Sequence, residues 1–186
     1  MRSLFGVIFV IVLGWMVPSY AKVYYTKEDA LKLAFPDVQK IERKTVFLDK
    51  VQGKRVEELA RTKVESRVYT FYVGEKDGAV VGYALFGSNV VRTKPEVYMA
   101  VISPDGSLRF IEILAFYEPE EYLPSKKWFK QFNNKTLNDD LWLRRGINAI
   151  SGATMSANGI IKEARIALAV FKVTILGEKD EVPDKR

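Results

Sequence analysis

The chain has 186 residues, 48% of them hydrophobic, and carries a formal net charge of +6 from 29 basic and 23 acidic side chains. It contains no cysteine and no histidine, which excludes disulfides, thiolate iron–sulfur ligation, c-type haem attachment, ordinary zinc sites and a Ser-His-Asp triad. Because these two residue types are absent, any redox cofactor has to be organic. Basic and acidic residues are interleaved along the chain, so no basic stripe that would bind nucleic acid stands out.

The N-terminus has the pattern of an export signal. Arg2 precedes an apolar run over residues 4–17, and a small-x-small exit ends at Ala21. We therefore expect residues 1–21 to be a signal peptide, which places the protein in the periplasm or another extracytoplasmic compartment. The run is short for a membrane span, which needs ~20 apolar residues, but residues 4–21 would serve as a membrane anchor if the signal is not cut.

The following residues predict short helices and antiparallel hairpins. Thr26 and Asp29 frame a capping signal for a short helix over 30–35 that Pro36 ends. The next predicted elements are an extended segment over 38–48, one or two helical turns within 54–63, and strands over 66–73, 79–86, 96–102 and 108–115. Because hairpins replace β–α–β units, we predict an α+β fold: a single domain with a mainly antiparallel sheet flanked by helices.

Two aromatic regions are candidate walls for a planar ligand. Gly82, Ala84 and Phe86 share one strand face, where two small residues leave room beside one ring, although a packed helix explains the pattern equally well. The second region, residues 116–132, is broken by two prolines, and its aromatic residues either line a ligand or fill the core under a loop. The four candidates there are Phe116, Tyr117, Trp128 and Phe132.

The longest helical pattern covers residues 155–176, and Gly177 ends it. Lys162, Glu163 and Arg165 lie off its apolar stripe. The stripe consists of Ile161, Ala164, Leu168, Phe171 and Ile175. Residues 178–186 predict a charged flexible tail.

Four residues, Ser151, Gly152, Ala153 and Thr154, lie where this helix is predicted to begin. A helix N-terminus exposes unpaired N–H groups and the positive end of the backbone dipole, and two small residues leave room for an anion, so a phosphate would be stabilised there. The Thr154 hydroxyl also allows the phosphate to be esterified to the chain. The alternative is a plain helix start, in which Ser151 or Thr154 caps the first turn and Gly152 provides a bend.

The stretch Gly-Ile-Asn-Ala-Ile-Ser-Gly-Ala-Thr from Gly146 to Thr154 resembles the flavinylation motif D-x-x-S-G-A-T of the FMN-binding domain family. That family includes the C subunit of sodium-pumping NADH:quinone reductases and the G subunit of Rnf complexes. The resemblance implies that residues 22–177 form an FMN-binding domain, and that Thr154 carries FMN through a phosphoester bond installed by a flavin transferase that uses FAD. Asn148 stands where the family has Asp, and it keeps the shape and a hydrogen-bonding oxygen but not the negative charge.

Three further residues are predicted cofactor contacts. Relatives in this family carry a strand of glycine, small and aromatic residues near the flavin, which implies such a role for Phe86. Trp142 and Arg145 precede the motif, and a guanidinium at Arg145 would offset negative charge that develops on a reduced flavin. Arg145 would alternatively bind phosphate or face water.

Together these features predict an exported flavoprotein with covalent FMN that passes electrons between membrane or periplasmic redox partners. It is expected to be a carrier or subunit rather than a self-sufficient enzyme, and to bind no nucleic acid. Two alternatives stay open: a non-covalent flavin-binding or sensory module, and a flavin-free structural subunit of a membrane redox complex. A reductase that acts directly on a terminal acceptor is a third and less favoured interpretation.

Overall fold

The computed structural model describes residues 22–138 and 140–177. The strands are β1 (Lys22–Val23), β2 (Lys40–Phe47), β3 (Val68–Lys76), β4 (Ala79–Val90), β5 (Pro95–Ile102) and β6 (Leu108–Phe116), and the helices are α1 (Lys27–Ala34), α2 (Lys50–Ala60), α3 (Lys126–Phe129) and α4 (Thr154–Thr174). All six strands form one antiparallel sheet in the order β1-β6-β5-β4-β3-β2. The predicted α+β class is confirmed, whereas the predicted signal over 1–21 and tail over 178–186 lie outside the described residues.

The β3–β4 hairpin is longer than the sequence predicts because its turn needs only two residues. Asp77 and Gly78 both have positive φ, 52° and 75°, as a two-residue type I′ turn requires. β3 therefore continues through Lys76 and β4 begins at Ala79, so residues 74–76, which lie between the two predicted strands, belong to β3.

Side chains cap the first three helices. Thr26 caps α1, as predicted, and Ser125 caps α3. Asp49 and Gln52 form a capping box at the start of α2, which explains why α2 begins earlier than the turns predicted within 54–63. The sequence did not predict α3, which is only one turn long.

The sheet separates two apolar cores. On one face, α2 and α4 pack over a large core that includes Phe71 and Phe171, whose rings meet edge to face at 6.0 Å. On the other face, α1 covers a smaller core around Ala84 and Met99. Twelve of the 21 residues of α4 are buried, so this helix is packed against the rest of the domain along most of its length.

Arg165 is a buried charge that ties α4 to two other parts of the chain. Its side chain is 1% exposed, although the helical pattern placed it off the apolar stripe. It donates hydrogen bonds to the carbonyls of Leu59 and Ala60 at the end of α2, at 3.1 and 2.8 Å, and to the carbonyl of Asn138 at 2.7 Å. A helix C-terminus leaves such carbonyls without intrahelical partners, and a cation there also complements the helix dipole. Arg165 therefore completes the α2–α4 interface.

In the part of the chain that the structure describes, no helix has the length and apolar character needed to cross a bilayer.

Candidate functional site

The start of α4 differs from the other helix starts. Its N-cap is Ala153, and among the described residues no side chain caps it. The Thr154 hydroxyl instead donates a hydrogen bond to the Ile150 carbonyl at 3.2 Å, and Gly152 makes the bend with φ +82°. The capping alternative for Ser151 and Thr154 is therefore wrong, while the bend at Gly152 is confirmed. The first-turn N–H groups of the longest helix are left available to an anion.

A cavity of about 170 Å³ lies beside this helix start. Residues 152–156 form one side, and Val91, Arg92 and Tyr122 form the other. The Arg92 guanidinium lies over the Tyr122 ring, 4.6 Å from its centre, in a cation–π contact that positions the charge. The cavity thus combines the positive end of a helix, a hydroxyl and a guanidinium, and all three favour a phosphate.

Glu118 holds the turn that carries Arg92. Its Oε1 accepts hydrogen bonds from the backbone N–H groups of Thr93 and Lys94 at 2.7 and 2.9 Å. These bonds favour the ionised carboxylate and lower the pKa of Glu118. The β4–β5 turn is therefore anchored by a carboxylate rather than by the strand pairing alone.

We expect acid to loosen this turn. Because the pKa of Glu118 is lower in the folded protein than in the unfolded chain, its contribution is present above the unfolded pKa and is lost as the pH falls through the folded value. The amide resonances of Thr93 and Lys94 should therefore shift together on acidification, followed by NMR, and should not shift in Glu118→Gln. Unchanged amide shifts in the wild-type protein would contradict this anchoring role.

The backbone before the motif is held by Trp128 of α3 and by Gln131 just after that helix. Trp128 Nε1 donates a hydrogen bond to the Asn148 carbonyl at 2.7 Å, and the Asn148 N–H donates to Gln131 Oε1 at 2.8 Å. On the other side, the Ser156 hydroxyl donates to the Tyr122 carbonyl. The residues from 148 to 156 are therefore held by contacts to residues 122–131, and Asn148 contributes to them through its backbone while remaining exposed.

The structure places the eight predicted cofactor contacts in different regions. Gly152, Ala153 and Thr154 line the cavity, and Ser151 is adjacent to them in sequence, whereas exposed Asn148 lies outside the lining. Phe86 does not join them, because it packs in the smaller core, where its ring meets Tyr72 at 5.3 Å, whereas α4 covers the opposite face of the sheet.

Trp142 and Arg145 also lie away from the cavity. The Trp142 ring packs on the buried Arg165 guanidinium at 4.5 Å, so it belongs to the α2–α4 interface. Arg145 is exposed in the turn between Leu143 and Ile147. This position agrees with the alternative in which Arg145 faces water.

Core filling accounts for most of the aromatic segment. Phe116, Trp128 and Phe132 are 1%, 5% and 0% exposed, and the Trp128 and Phe132 rings meet at 5.2 Å. Tyr117 is half-buried and lines a separate cleft. None of the four lines the cavity beside Thr154 among the described residues.

Sequence reasoning missed Arg92 and Tyr122. The sequence pattern indicated only their general positions, because Arg92 lies between two predicted strands and Tyr122 lies in the aromatic segment. It did not indicate that the strand order and the path of the chain after β6 bring both to the start of α4.

The cavity is smaller than a site that encloses a whole cofactor. Sites that enclose a drug-sized ligand measure ~300–1,000 Å³, so a cavity of about 170 Å³ would admit a group of phosphate size and would leave a flavin ring largely outside. Met155 lines the cavity and is 55% exposed, which provides apolar surface at its rim. Within the described ranges, no group of three or more acidic side chains is arranged to hold a metal ion.

No protein-family model and no curated protein matches this chain. The fold and the cavity define a small α+β domain that presents a helix N-terminus, a hydroxyl and a guanidinium to one small cavity.

Proposed function

We propose that the protein is an exported electron carrier that holds FMN on Thr154 through a phosphoester bond. The observation that carries the proposal is the uncapped start of α4, where the exposed Thr154 hydroxyl shares a cavity with Arg92. The resemblance of residues 146–154 to a flavinylation motif supplies the cofactor and the flavin transferase that uses FAD.

Several groups that line the cavity would bind the phosphate together. The first-turn N–H groups of α4 offer hydrogen bonds and positive potential, and Arg92 offers a full positive charge. Gly152 leaves room, since a Cβ there would have only the Glu121 carbonyl within contact distance, at 3.9 Å. The chain thus provides an anion site around the oxygen that would form the bond.

A largely external ring suits electron transfer between proteins. A flavin supplies one- and two-electron redox chemistry when bound, and a small cavity at the surface keeps it within reach of partner proteins. The absence of histidine and cysteine from the sequence leaves water, tyrosine and carboxylates as the groups available to move protons. We therefore propose membrane or periplasmic redox proteins as partners, and transfer rather than substrate turnover as the role.

Intact mass tests the proposal directly. The protein is produced with its signal in a host that has a competent flavin transferase, then purified and weighed. We expect a mass gain equal to FMN less one water, together with yellow colour and flavin absorbance that stay with the polypeptide in denaturant. An unmodified mass in a host that flavinylates another S-G-A-T protein would overturn the proposal.

Asn148 favours one second candidate, a non-covalent flavin-binding or sensory module. Loss of the family's carboxylate at this exposed position removes a negative charge that a transferase would meet. For this second candidate we expect a yellow protein that releases its flavin on denaturation and filtration. Its polypeptide mass should be unmodified. The same preparation therefore separates the two functions.

Arg92→Ala should slow flavin attachment. The substitution removes the only side-chain cation that lines the described cavity, and a loss of ~1.4 kcal/mol of phosphate stabilisation corresponds to about tenfold. The measurement is the flavinylated fraction, followed over time by intact mass. Arg145→Ala is the matched control, since Arg145 lies outside the cavity lining, and it should leave the rate unchanged. Equal rates for Arg92→Ala and the wild-type protein would remove Arg92 from the site.

A further inference from the structure

Half-buried Asn89 and buried Glu96 form a hydrogen-bonded pair next to the turn that carries Arg92. They face each other across β4 and β5, one position before Val90 and Pro95, the last pair of that ladder. Asn89 Nδ2 donates a hydrogen bond to Glu96 Oε1 at 2.9 Å, and Glu96 is completely buried. A carboxyl in this position is not part of the candidate site described above.

Each side chain of the pair has one oxygen that lacks a hydrogen-bond partner in the described part of the chain. Asn89 Oδ1 and Glu96 Oε2 are both buried, and neither has a hydrogen-bond partner among residues 22–138 and 140–177. Buried acceptors that lack a donor are costly and rare. One proton on Glu96 removes both deficits, because a carboxylic acid and a primary amide can each donate one hydrogen bond to the other.

The groups around Glu96 also disfavour its ionised form. Glu163 on α4 faces it, as does Tyr98 on β5, and the Tyr98 hydroxyl donates to Glu163 Oε2 at 2.6 Å. Tyr69 on β3 lies beside Glu163. Burial raises the pKa of Glu96 to about 7, although the hydrogen bond from Asn89 lowers it, and Glu163 adds a smaller increase. Burial also raises the pKa of Glu163. A negative charge on Glu96 would therefore lie among carboxyl and phenol groups.

Helix α4 covers the pair on one side, and both unpartnered oxygens are buried, although the Asn89 side chain is half-buried and also lines a neighbouring cleft. Gly159 packs directly on it, since a Cβ at Gly159 would lie 2.8 Å from Asn89 Nδ2 and 3.1 Å from Asn89 Oδ1. A cation such as Ca²⁺ takes six to eight oxygen ligands, whereas this pair offers two free oxygens beneath the helix. A proton needs only those two oxygens.

We propose that Glu96 and Asn89 form a proton-binding site, in which neutral Glu96 donates its proton through Oε2 to Asn89 Oδ1 and releases it as the pH rises. The site is independent of the flavin. Because a Glu has its ordinary pKa in the unfolded chain and a raised pKa in the folded protein, the folded state binds more protons between the two values. Stability therefore falls as the pH rises through that interval, and the loss is complete above the folded pKa.

The titration of glutamate carboxyl carbons in ¹³C-labelled protein tests the proposal. In the wild-type protein we expect one glutamate resonance with a midpoint near 7, and the side-chain NH₂ of Asn89 should shift with the same midpoint. Glu96→Gln should remove that resonance, whereas Glu112→Gln, at a half-buried carboxyl on β6, should leave it in place. A carboxyl carbon of Glu96 that titrates below pH 5.5, or an Asn89 NH₂ that stays fixed through the transition, would overturn the proposal.

A stability measurement gives the second readout. Chemical unfolding from pH 5 to 9 should show the midpoint falling with pH in the wild-type protein and in Glu112→Gln, and a smaller fall in Glu96→Gln, because a glutamine keeps both hydrogen bonds to Asn89 without a charge. Parallel curves for Glu96→Gln and wild type would count against the site. If added sodium or calcium shifts the Glu96 resonance at constant pH, a cation occupies the pair and the proton proposal fails.

Discussion

Thr154→Ala is expected to yield a folded protein with no covalently bound flavin. The substitution removes the oxygen that would form the phosphoester bond and leaves the N–H groups of α4 and the Arg92 charge unchanged. Thr154 is exposed and makes one side-chain hydrogen bond, to the Ile150 carbonyl, so the free energy of unfolding should change by less than about 1 kcal/mol. Intact mass and absorbance in denaturant measure the attachment, and thermal unfolding confirms the fold.

Two substitutions at the same helix start make this result specific. Ser151→Ala removes the neighbouring hydroxyl, and we expect full attachment because Ser151 lies outside the cavity lining. Thr154→Ser keeps a hydroxyl at the same position and should keep the bond. A flavin that remains covalent in Thr154→Ala but is lost in Ser151→Ala would move the attachment to Ser151. Attachment that survives both changes would place it elsewhere in the chain.

Asn148→Asp separates recognition from chemistry. The Asn148 backbone is already held by Trp128 and Gln131, so a side-chain change should leave the local structure intact. If attachment is faster in Asn148→Asp than in the wild-type protein, recognition by the transferase limits the rate because the carboxylate is missing. The cavity itself would then not be the limiting factor.

The architecture of the sheet was predictable because its signals are local. Strand alternation and the glycines of two tight turns lie within a few residues of the hairpins they specify, and antiparallel pairing follows from short connections. The predicted bounds of β3 and α2 were wrong, and a local signal that was not recognised explains each error. The Asp77-Gly78 turn needs fewer residues than the segment rich in turn formers suggested, and the Asp49 capping box starts α2 before its charged stretch begins.

The candidate site was only half predictable. The motif residues are consecutive, so their shared position at a helix start follows from the sequence. Arg92 is about 60 residues away along the chain, and only the packing of α4 against the β4–β5 end of the sheet brings it to Thr154. Phe86 was assigned by strand alternation to the correct shared face with Ala84, but alternation alone does not indicate which face of the sheet α4 covers.

Arg165→Met is expected to cause a large loss of stability, about 3 kcal/mol or more. Methionine fills a similar volume but leaves the carbonyls of Leu59, Ala60 and Asn138 without their donor in the buried α2–α4 interface. Buried carbonyls that lose a partner cost ~1–3 kcal/mol each. For a domain of this size the melting temperature should fall by ~10 °C.

Arg165→Lys distinguishes the shape of the side chain from its charge. An ammonium keeps the charge but cannot reach carbonyls on two sides as the planar guanidinium does, so we expect most of the loss to persist. Lys162→Met, at an exposed position on the same helix, should change stability by less than ~0.5 kcal/mol. A lysine variant as stable as wild type would show that charge near the end of α2 is sufficient. The Arg165 guanidinium also packs on the Trp142 ring. If the α2–α4 interface is the region that loosens, tryptophan fluorescence should therefore change in both Arg165 variants.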